Sequence, residues 1–275
     1  MIIGIGQINT TVGDLEGNAD KIVTAYTKLT ELGAELVLFP ELVVAGYPPR
    51  DLLFKSRFVA DCRAALNRVA ASVGEVPALV GFVEHTRDAP GRLFYNSVAW
   101  CEGGEIRETA RKCLLPNYDV FDEERYFEPY HEVTVVNWKG LRVGVTVCED
   151  LWYHPNVPFR RRYNWDPADS LARIGVDVIL NASASPWHYQ KQAFREHLLT
   201  RVATACACPV VYCNLVGGND ELVFDGHSLI ASADGKVIAG MKAFEEELRC
   251  IDINIGRGSI DETKMPAFAR DFLQE

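Results

Sequence analysis

No run among the 275 residues stays apolar over the roughly 20 positions that a bilayer-spanning helix needs. Nor does the chain open on the basic segment, apolar run and small-residue cleavage site of a secretion signal. The eight cysteines are therefore expected to be reduced thiols in a cytoplasmic protein rather than a disulfide framework. Basic residues are outnumbered: 28 Lys and Arg face 38 Asp and Glu, for a formal charge of −10. That balance argues against nucleic acid or an anionic membrane as partner, because neutralising phosphates needs a basic face. The one basic knot, Arg160-Arg161-Arg162, reads as a solvated turn. Linkers rich in Pro, Gly or Ser, repeats and low-complexity tracts are also missing, so residues 1–275 read as one domain. The six histidines (85, 131, 154, 188, 197, 227) are scattered, and none has the local context of a Cys-His protease.

What is present is an ordinary globular composition, 48% hydrophobic and 24% charged, in a chain long enough to bury a large core without metals or disulfides. Strand-like and helix-like segments alternate. Ile2 to Ile8 reads as a strand; Asn18 then caps a helix whose Ile22, Tyr26, Leu29 and Leu32 share a face before Gly33 ends it. A short buried strand closes at Pro40, Asp51 to Ser72 has helical period, Pro77 to Glu84 is a strand, and Phe94 to Thr109 is a hairpin across Glu102-Gly103-Gly104. After a long loop, Cys113 to Tyr130, a second hairpin joins Val133–Val136 to Leu141–Val147. Helix 169–174, strand 176–180, helix 190–206 and strand 210–213 repeat the β-α-β-α-β pattern, and strands over 222–232, 236–239 and 247–253 finish the chain. Hairpins mixed with crossovers predict an α/β protein with two mixed sheets and helices outside them.

Three of these strand ends carry reactive groups. Glu41 follows L-V-L-F-P, Lys112 closes the first hairpin, and Cys148 ends the run V-G-V-T-V. Singly each has a plain explanation as a solvated acid, a snorkelling lysine or a buried thiol. Together they make a complete set, because strand ends are where loops converge on ligands in α/β proteins. The set is a thiol nucleophile, a carboxylate to take its proton and return it to a leaving amine, and a cation for the developing oxyanion. Other signals fail on their own terms. Cys206, Cys208 and Cys213 lack a fourth ligand at sensible spacing, so no metal is expected. Gly226-His227-Ser228-Leu229-Ile230 has isoleucine where a serine elbow needs glycine. Gly217-Gly218-Asn219-Asp220 lacks the hydroxyls of an ATP-holding loop, with Val216 before it and Glu221 after it.

F-P-E (39 to 41), R-K-C-L-L-P-N-Y (111 to 118) and V-C-E-D-L-W (147 to 152) resemble, in this order, the three motifs of the nitrilase, or carbon-nitrogen hydrolase, superfamily. P-E-L-V-V-A-G-Y-P-P-R-D-L-L, Y-D-V-F-D-E-E-R-Y-F, N-A-S-A-S-P-W-H and G-G-N-D-E-L-V-F-D-G-H-S are similar to the N-terminal glutaminase domain of glutamine-dependent NAD+ synthetases. The resemblance implies a four-layer α-β-β-α sandwich. It makes Glu41 the general base, Lys112 the stabiliser of the tetrahedral intermediate, Cys148 the thioester-forming nucleophile, and Glu123 the acid that supports the lysine. It places Tyr47, Tyr118, Glu149, Ser185 and Lys191 around glutamine and calls for no cofactor. It also implies homo-oligomers and an ATP-dependent NAD+ synthetase, separate or cut away, as ammonia acceptor; the ATP-binding half has no counterpart in these residues. Two alternatives stay open on the residues alone: an amidase for another small amide, such as an ω-amidase or carbamoyl substrate, and a partner-dependent regulatory subunit.

Overall fold

The computed structural model describes residues 1–86, 91–152 and 163–255; Arg160-Arg161-Arg162 lie outside them. The first half runs β1 (Ile2–Gln7), α1 (Leu15–Glu31), β2 (Leu36–Leu38), a 3-10 turn over Arg50–Phe54, α2 (Phe58–Ser72), β3 (Ala78–His85), β4 (Phe94–Glu102) and β5 (Glu105–Arg111). The second half runs β6 (Thr134–Trp138), β7 (Leu141–Val147), a 3-10 turn over Cys148–Leu151, α3 (Pro167–Ile174), β8 (Val178–Ser183), α4 (Lys191–Cys206) and β9 (Val210–Asn214). It ends on β10 (Val216–Asn219), β11 (Leu222–Asp225), β12 (Leu229–Ala231), β13 (Val237–Gly240) and β14 (Glu247–Asp252).

Two six-stranded mixed sheets result, ordered β14-β1-β2-β3-β4-β5 and β13-β12-β9-β8-β7-β6, with β10-β11 as a separate ribbon. In each, three parallel strands (β1-β2-β3 and β7-β8-β9) are extended by antiparallel ones. The sheets face each other through one apolar layer, and helices cover their outer faces, α1 and α2 on one and α3 and α4 on the other. Strands covered on both faces need apolar residues at both phases. Leu36 and Leu38 accordingly join Ile3, Ile5, Val178 and Leu180 between the sheets, while Val37 and Phe39 pack outward with Ile22, Leu29 and Leu66 of the helices. The expected sandwich is the observed one.

Several local expectations are corrected. Asp14, not Asn18, caps α1, its carboxylate accepting the Gly17 N–H at 3.1 Å. Asn18 lies inside the helix, buried, and its side chain ties Thr11 and Val44 to it through backbone hydrogen bonds. The helical run from Asp51 breaks at Lys55, whose extended ψ separates the 3-10 turn from α2. The strand drawn over 176–180 runs from Val178 to Ser183. The strand expected over 222–232 is two, β11 in the ribbon and β12 in the second sheet, because Gly226 and His227 both take positive φ.

One packing contact links fold to site. Gly81 of β3 lies against the backbone of residues 40–42, so that a Cβ there would fall inside the Pro40 carbonyl and the Leu42 N–H. These are backbone atoms and cannot swing away. Gly81→Ala is expected to cost roughly 2–3 kcal/mol or more and to lower the denaturation midpoint. Gly74→Ala, whose Cβ would meet nothing closer than the Tyr26 hydroxyl at 3.8 Å, serves as the control and should change it little.

Candidate active site

Glu41 follows β2, Lys112 follows β5, and Glu123 begins a one-turn 3-10 segment in the long loop after β5. All three are buried, and they converge. The Lys112 ammonium donates to Glu41 Oε1 at 2.7 Å and to both Glu123 oxygens at 2.8 Å. Tyr47 donates its hydroxyl to Glu123 Oε1 at 2.8 Å, and the Ala184 N–H, just beyond β8, donates to Glu41 Oε2 at 2.8 Å. Asn96 of β4 adds a side-chain N–H to Glu41 Oε1 at 2.7 Å, and its main-chain carbonyl accepts the Lys112 N–H at 2.8 Å. Burial alone would drive the lysine toward its neutral form, but Glu123 and Glu41 hold its pKa well above the usual value. Burial pushes Glu123 up, and the Lys112 charge, its hydrogen bonds and the Tyr47 hydroxyl pull the other way.

Cys148 opens the 3-10 turn that ends β7, with φ of 40°. Positive φ at a residue with a Cβ costs about 1–2 kcal/mol, and here it reverses the chain at the end of β7. The N–H groups of such a first turn have no partner inside it. Burial, and after it the Glu41 charge, push the thiol well above its usual pKa, with Lys112 opposing. At rest the sulfur is therefore protonated, within the field of Glu41 and Lys112.

Asp150 joins the two sheets at this point. Its Oδ1 accepts the N–H groups of Cys113 and Leu114, at 2.8 and 2.9 Å, and its Oδ2 accepts the Val147 N–H at 2.9 Å. The residue before Cys148 and the two residues after Lys112 thus share one carboxylate. Burial pushes its pKa up to about 7, against the pull of those N–H groups.

A second cluster lies beyond Cys148. Glu149 is buried, with the Tyr118 hydroxyl within 3.0 Å of both its oxygens and the Tyr163 hydroxyl at 3.1 Å from Oε1. Burial raises its pKa to about 8, and Lys112, Tyr163 and Lys191 oppose the rise. Lys191, the first residue of α4, donates to the Pro186 carbonyl at 2.6 Å and lies 5.2 Å from the Trp152 ring centroid. Ser185 is held by its backbone, its N–H donating to Asn214 Oδ1 at 2.8 Å and its carbonyl facing Asn214 Nδ2 at 3.3 Å. Among the described residues no three His, Cys, Asp or Glu side chains gather into a metal-binding group, and no helix is long and apolar enough to cross a membrane.

The carbon-nitrogen hydrolase family matches residues 2–264. The chain belongs to this family. Among curated proteins it is similar to the glutamine-dependent NAD(+) synthetases of Synechocystis sp., 38% identical over 96% of this chain and 48% of that protein, and of Thermotoga maritima, 39% identical over 92% and 42%. The chain thus spans about half the length of these relatives. Among solved structures it superposes on the glutamine-dependent NAD+ synthetase of Acinetobacter baumannii with a TM-score of 0.82 at 30% identity, covering 90% of this chain and 44% of that one. A nitrilase-superfamily amidase from Nesterenkonia sp. shares the fold, with a TM-score of 0.75 at 23% identity over 92% of this chain and 90% of its own.

For this carbon-nitrogen hydrolase, then, the structure brings Glu41, Lys112, Glu123 and Tyr47 into one hydrogen-bonded group beside Cys148, and Tyr118, Glu149 and Lys191 into a neighbouring one. Sequence reasoning missed Asn96, Asp150 and Tyr163. The first had a signal: along F-Y-N-S-V-A-W, Asn96 occupies the phase of Val98 and Trp100, which face the other sheet. Tyr163 had none, since it meets Glu149 only through tertiary packing.

Asp150 yields a graded test. Asp150→Ala leaves three buried N–H groups unpaired and is expected to cost about 3 kcal/mol or more. Asp150→Asn keeps one acceptor oxygen but sets an amide NH2 near the remaining N–H, so its loss should be smaller. Denaturant unfolding checks the order; equal stability of all three proteins would show that the carboxylate does not join the sheets.

Proposed function

We propose that this chain is a glutamine amidohydrolase, which splits the side-chain amide of L-glutamine through a thioester on Cys148 and supplies the ammonia to NAD+ synthesis. The observation that carries the hydrolytic part is the fully buried Lys112 ammonium, shared by two carboxylates and electrostatically coupled to the thiol. The curated relatives and the structure at 30% identity, all named for glutamine-dependent NAD+ synthesis, support the substrate and the fate of the product.

The geometry supports a definite course. Two of the four acceptor positions on Glu41 are used at Oε1, by Lys112 and Asn96, and one at Oε2, by Ala184. The free position is on Oε2, and that oxygen takes the thiol proton as sulfur attacks the amide carbon. Lys112 has three N–H donors, two of them on Glu123. It can turn one of those to the developing oxyanion while the other keeps the ion pair, and a backbone N–H of the turn after Cys148 supplies the second donor. Removing one donor of this kind typically costs about 3 kcal/mol of barrier. Glu41 then gives its proton to the departing ammonia, and water activated by the same carboxylate opens the thioester. Glu149, with Tyr118, is suited to the substrate's α-ammonium. Lys191 stands nearby for a carboxylate, and aromatic rings wall the space between. This charged group favours an amino acid over a simple aliphatic amide.

Cys148→Ala is expected to stay folded and to lose ammonia release by ~1000-fold or more, and mass spectrometry after treatment with a glutamine-like electrophile should find the label on residue 148. Retained turnover in the alanine variant would end the thioester scheme. Glu149 gives a pH signature. Because burial lifts this acid to about 8, it is largely neutral at pH 6 and ionises as pH rises. The KM for glutamine should therefore fall between pH 6 and 8. Glu149→Gln should raise KM and flatten that dependence; an unchanged slope would remove Glu149 from the substrate's ammonium.

A further inference from the structure

We infer that Asn96 is a positioning residue: its side-chain amide holds Glu41 against Lys112, aimed to accept the thiol proton, while its main chain sets the lysine. The inference rests on the thiol chemistry proposed above and is independent of which amide is cleaved.

Asn96 lies on β4 opposite Val83, wholly buried, on the strand phase that puts Val98 and Trp100 between the sheets. A polar residue at such a position must earn its place through hydrogen bonds. Its Nδ2 lies 2.7 Å from Glu41 Oε1 and 3.5 Å from Glu123 Oε2, the second a weak contact. Its Oδ1 is buried with no protein partner among the described residues. Turning the amide over would not help, since the oxygen would then face two carboxylates. The side chain thus leaves one acceptor unsatisfied in order to aim its donor at the acids. The main-chain carbonyl of the same residue accepts the Lys112 N–H, so one strand position governs both partners of the ion pair.

The amide supplies what Lys112 cannot. While the ammonium turns one donor from Glu123 toward an oxyanion, Asn96 stays on Glu41, carrying no charge and meeting Glu123 only through the weak 3.5 Å contact. A neutral donor also holds Glu41 without adding a second cation, which would compete with Lys112 for the same carboxylates. The other groups facing this cluster come from every packed element. They are Tyr47 after β2, Glu123 in the long loop, Cys148, Glu149 and Asp150 after β7, Tyr212 on β9 and Arg195 on α4, the last paired with Asp225. Among these Tyr47, Tyr212 and Arg195 stay unchanged through the neutral range, so the acidic limb of reactivity belongs to the carboxylates.

The test is the pH dependence of Cys148 alkylation by iodoacetamide, read by peptide mass mapping, which needs no knowledge of the natural substrate. Asn96→Leu keeps the volume and removes the donor. Its acidic limb is expected to move up by about one pH unit, the size of one hydrogen bond to a charged group. Asn96→Asp, with a third carboxylate beside Glu41 and Glu123, should move it further. Asn96→Ala reads the same limb should the leucine variant fail to fold. A residue with only a structural part would scale the rate equally at every pH, so an unmoved limb in a folded Leu or Ala variant overturns the inference. Glutamine hydrolysis measured on the same proteins separates the two claims. A shifted limb without glutamine turnover in the parent upholds Asn96 and removes the glutamine reading; turnover with an unmoved limb does the reverse.

Discussion

The ammonium of Lys112 is the charge on which the rest of the site depends. A lone cation inside a protein would lose its proton or unfold its surroundings, because the desolvation cost of an unpaired charge exceeds what packing returns. Lys112 keeps its charge because Glu41 and Glu123 meet it at 2.7 and 2.8 Å from separate segments of chain. The demand is mutual. Each acid is buried and needs the cation, and each is held by further donors, Tyr47 on Glu123 and the Ala184 N–H on Glu41. Removing any member leaves the others as uncompensated charge, so the cluster is a constraint on the fold as well as a reactive group.

That constraint explains why the sandwich has to be assembled before the site exists. Glu41 and Lys112 extend from one sheet, and Cys148 and Ala184 from the other. Neither sheet alone brings Glu41 and Cys148 together. Among the links that cross between them are Ala184 onto Glu41, the Asp150 carboxylate from the Cys148 turn onto Cys113 and Leu114, and the apolar layer of Ile3, Leu38, Val98, Val145 and Leu180. The apolar layer sets how far apart the sheets lie, and the two polar links set their register at one end. A displacement of one sheet relative to its partner would break both polar links at once, which ties the alignment of the reactive groups to the same interactions that stabilise the pair.

Much of this was legible in the chain, for identifiable reasons. The strand ends at Glu41, Lys112 and Cys148 are local features, since an apolar β-branched run stopping at a charged or nucleophilic residue is visible without tertiary knowledge. Two mixed sheets follow from hairpins and crossovers in one sequence. What was not legible depends on contacts between distant segments. Asp14 and Asn18 are both good caps by type, and only the turn at Thr11 and the backbone of Val44 decide that Asn18 belongs inside the helix. The break between β11 and β12 needs the non-glycine His227 at a φ of 51°, a conformation that propensity argues against. Asp150 looked like the second of two acids after the nucleophile, yet its work is to bind backbone from the opposite sheet. Its neighbour Glu149, likewise a carboxyl group, is met instead by two tyrosine hydroxyls.

The charge count of the cluster bears on how such a buried site can run a reaction. In the proposed scheme, moving the thiol proton to Glu41 converts a neutral thiol and a carboxylate into a thiolate and a neutral acid, so the total charge around Lys112 does not change. Attack then carries the negative charge from sulfur to the amide oxygen, and again the total is constant. At each stage the ammonium sees one mobile negative charge besides Glu123, and only its location shifts by a bond or two. A buried, low-dielectric site penalises net charge severely but penalises such relocation far less, since fixed donors are already in place at both ends. Glu123, held by Tyr47 and by two contacts from Lys112, is the stationary counter-charge that makes this possible. The lysine can therefore serve the base and the oxyanion in turn without ever being left buried and alone.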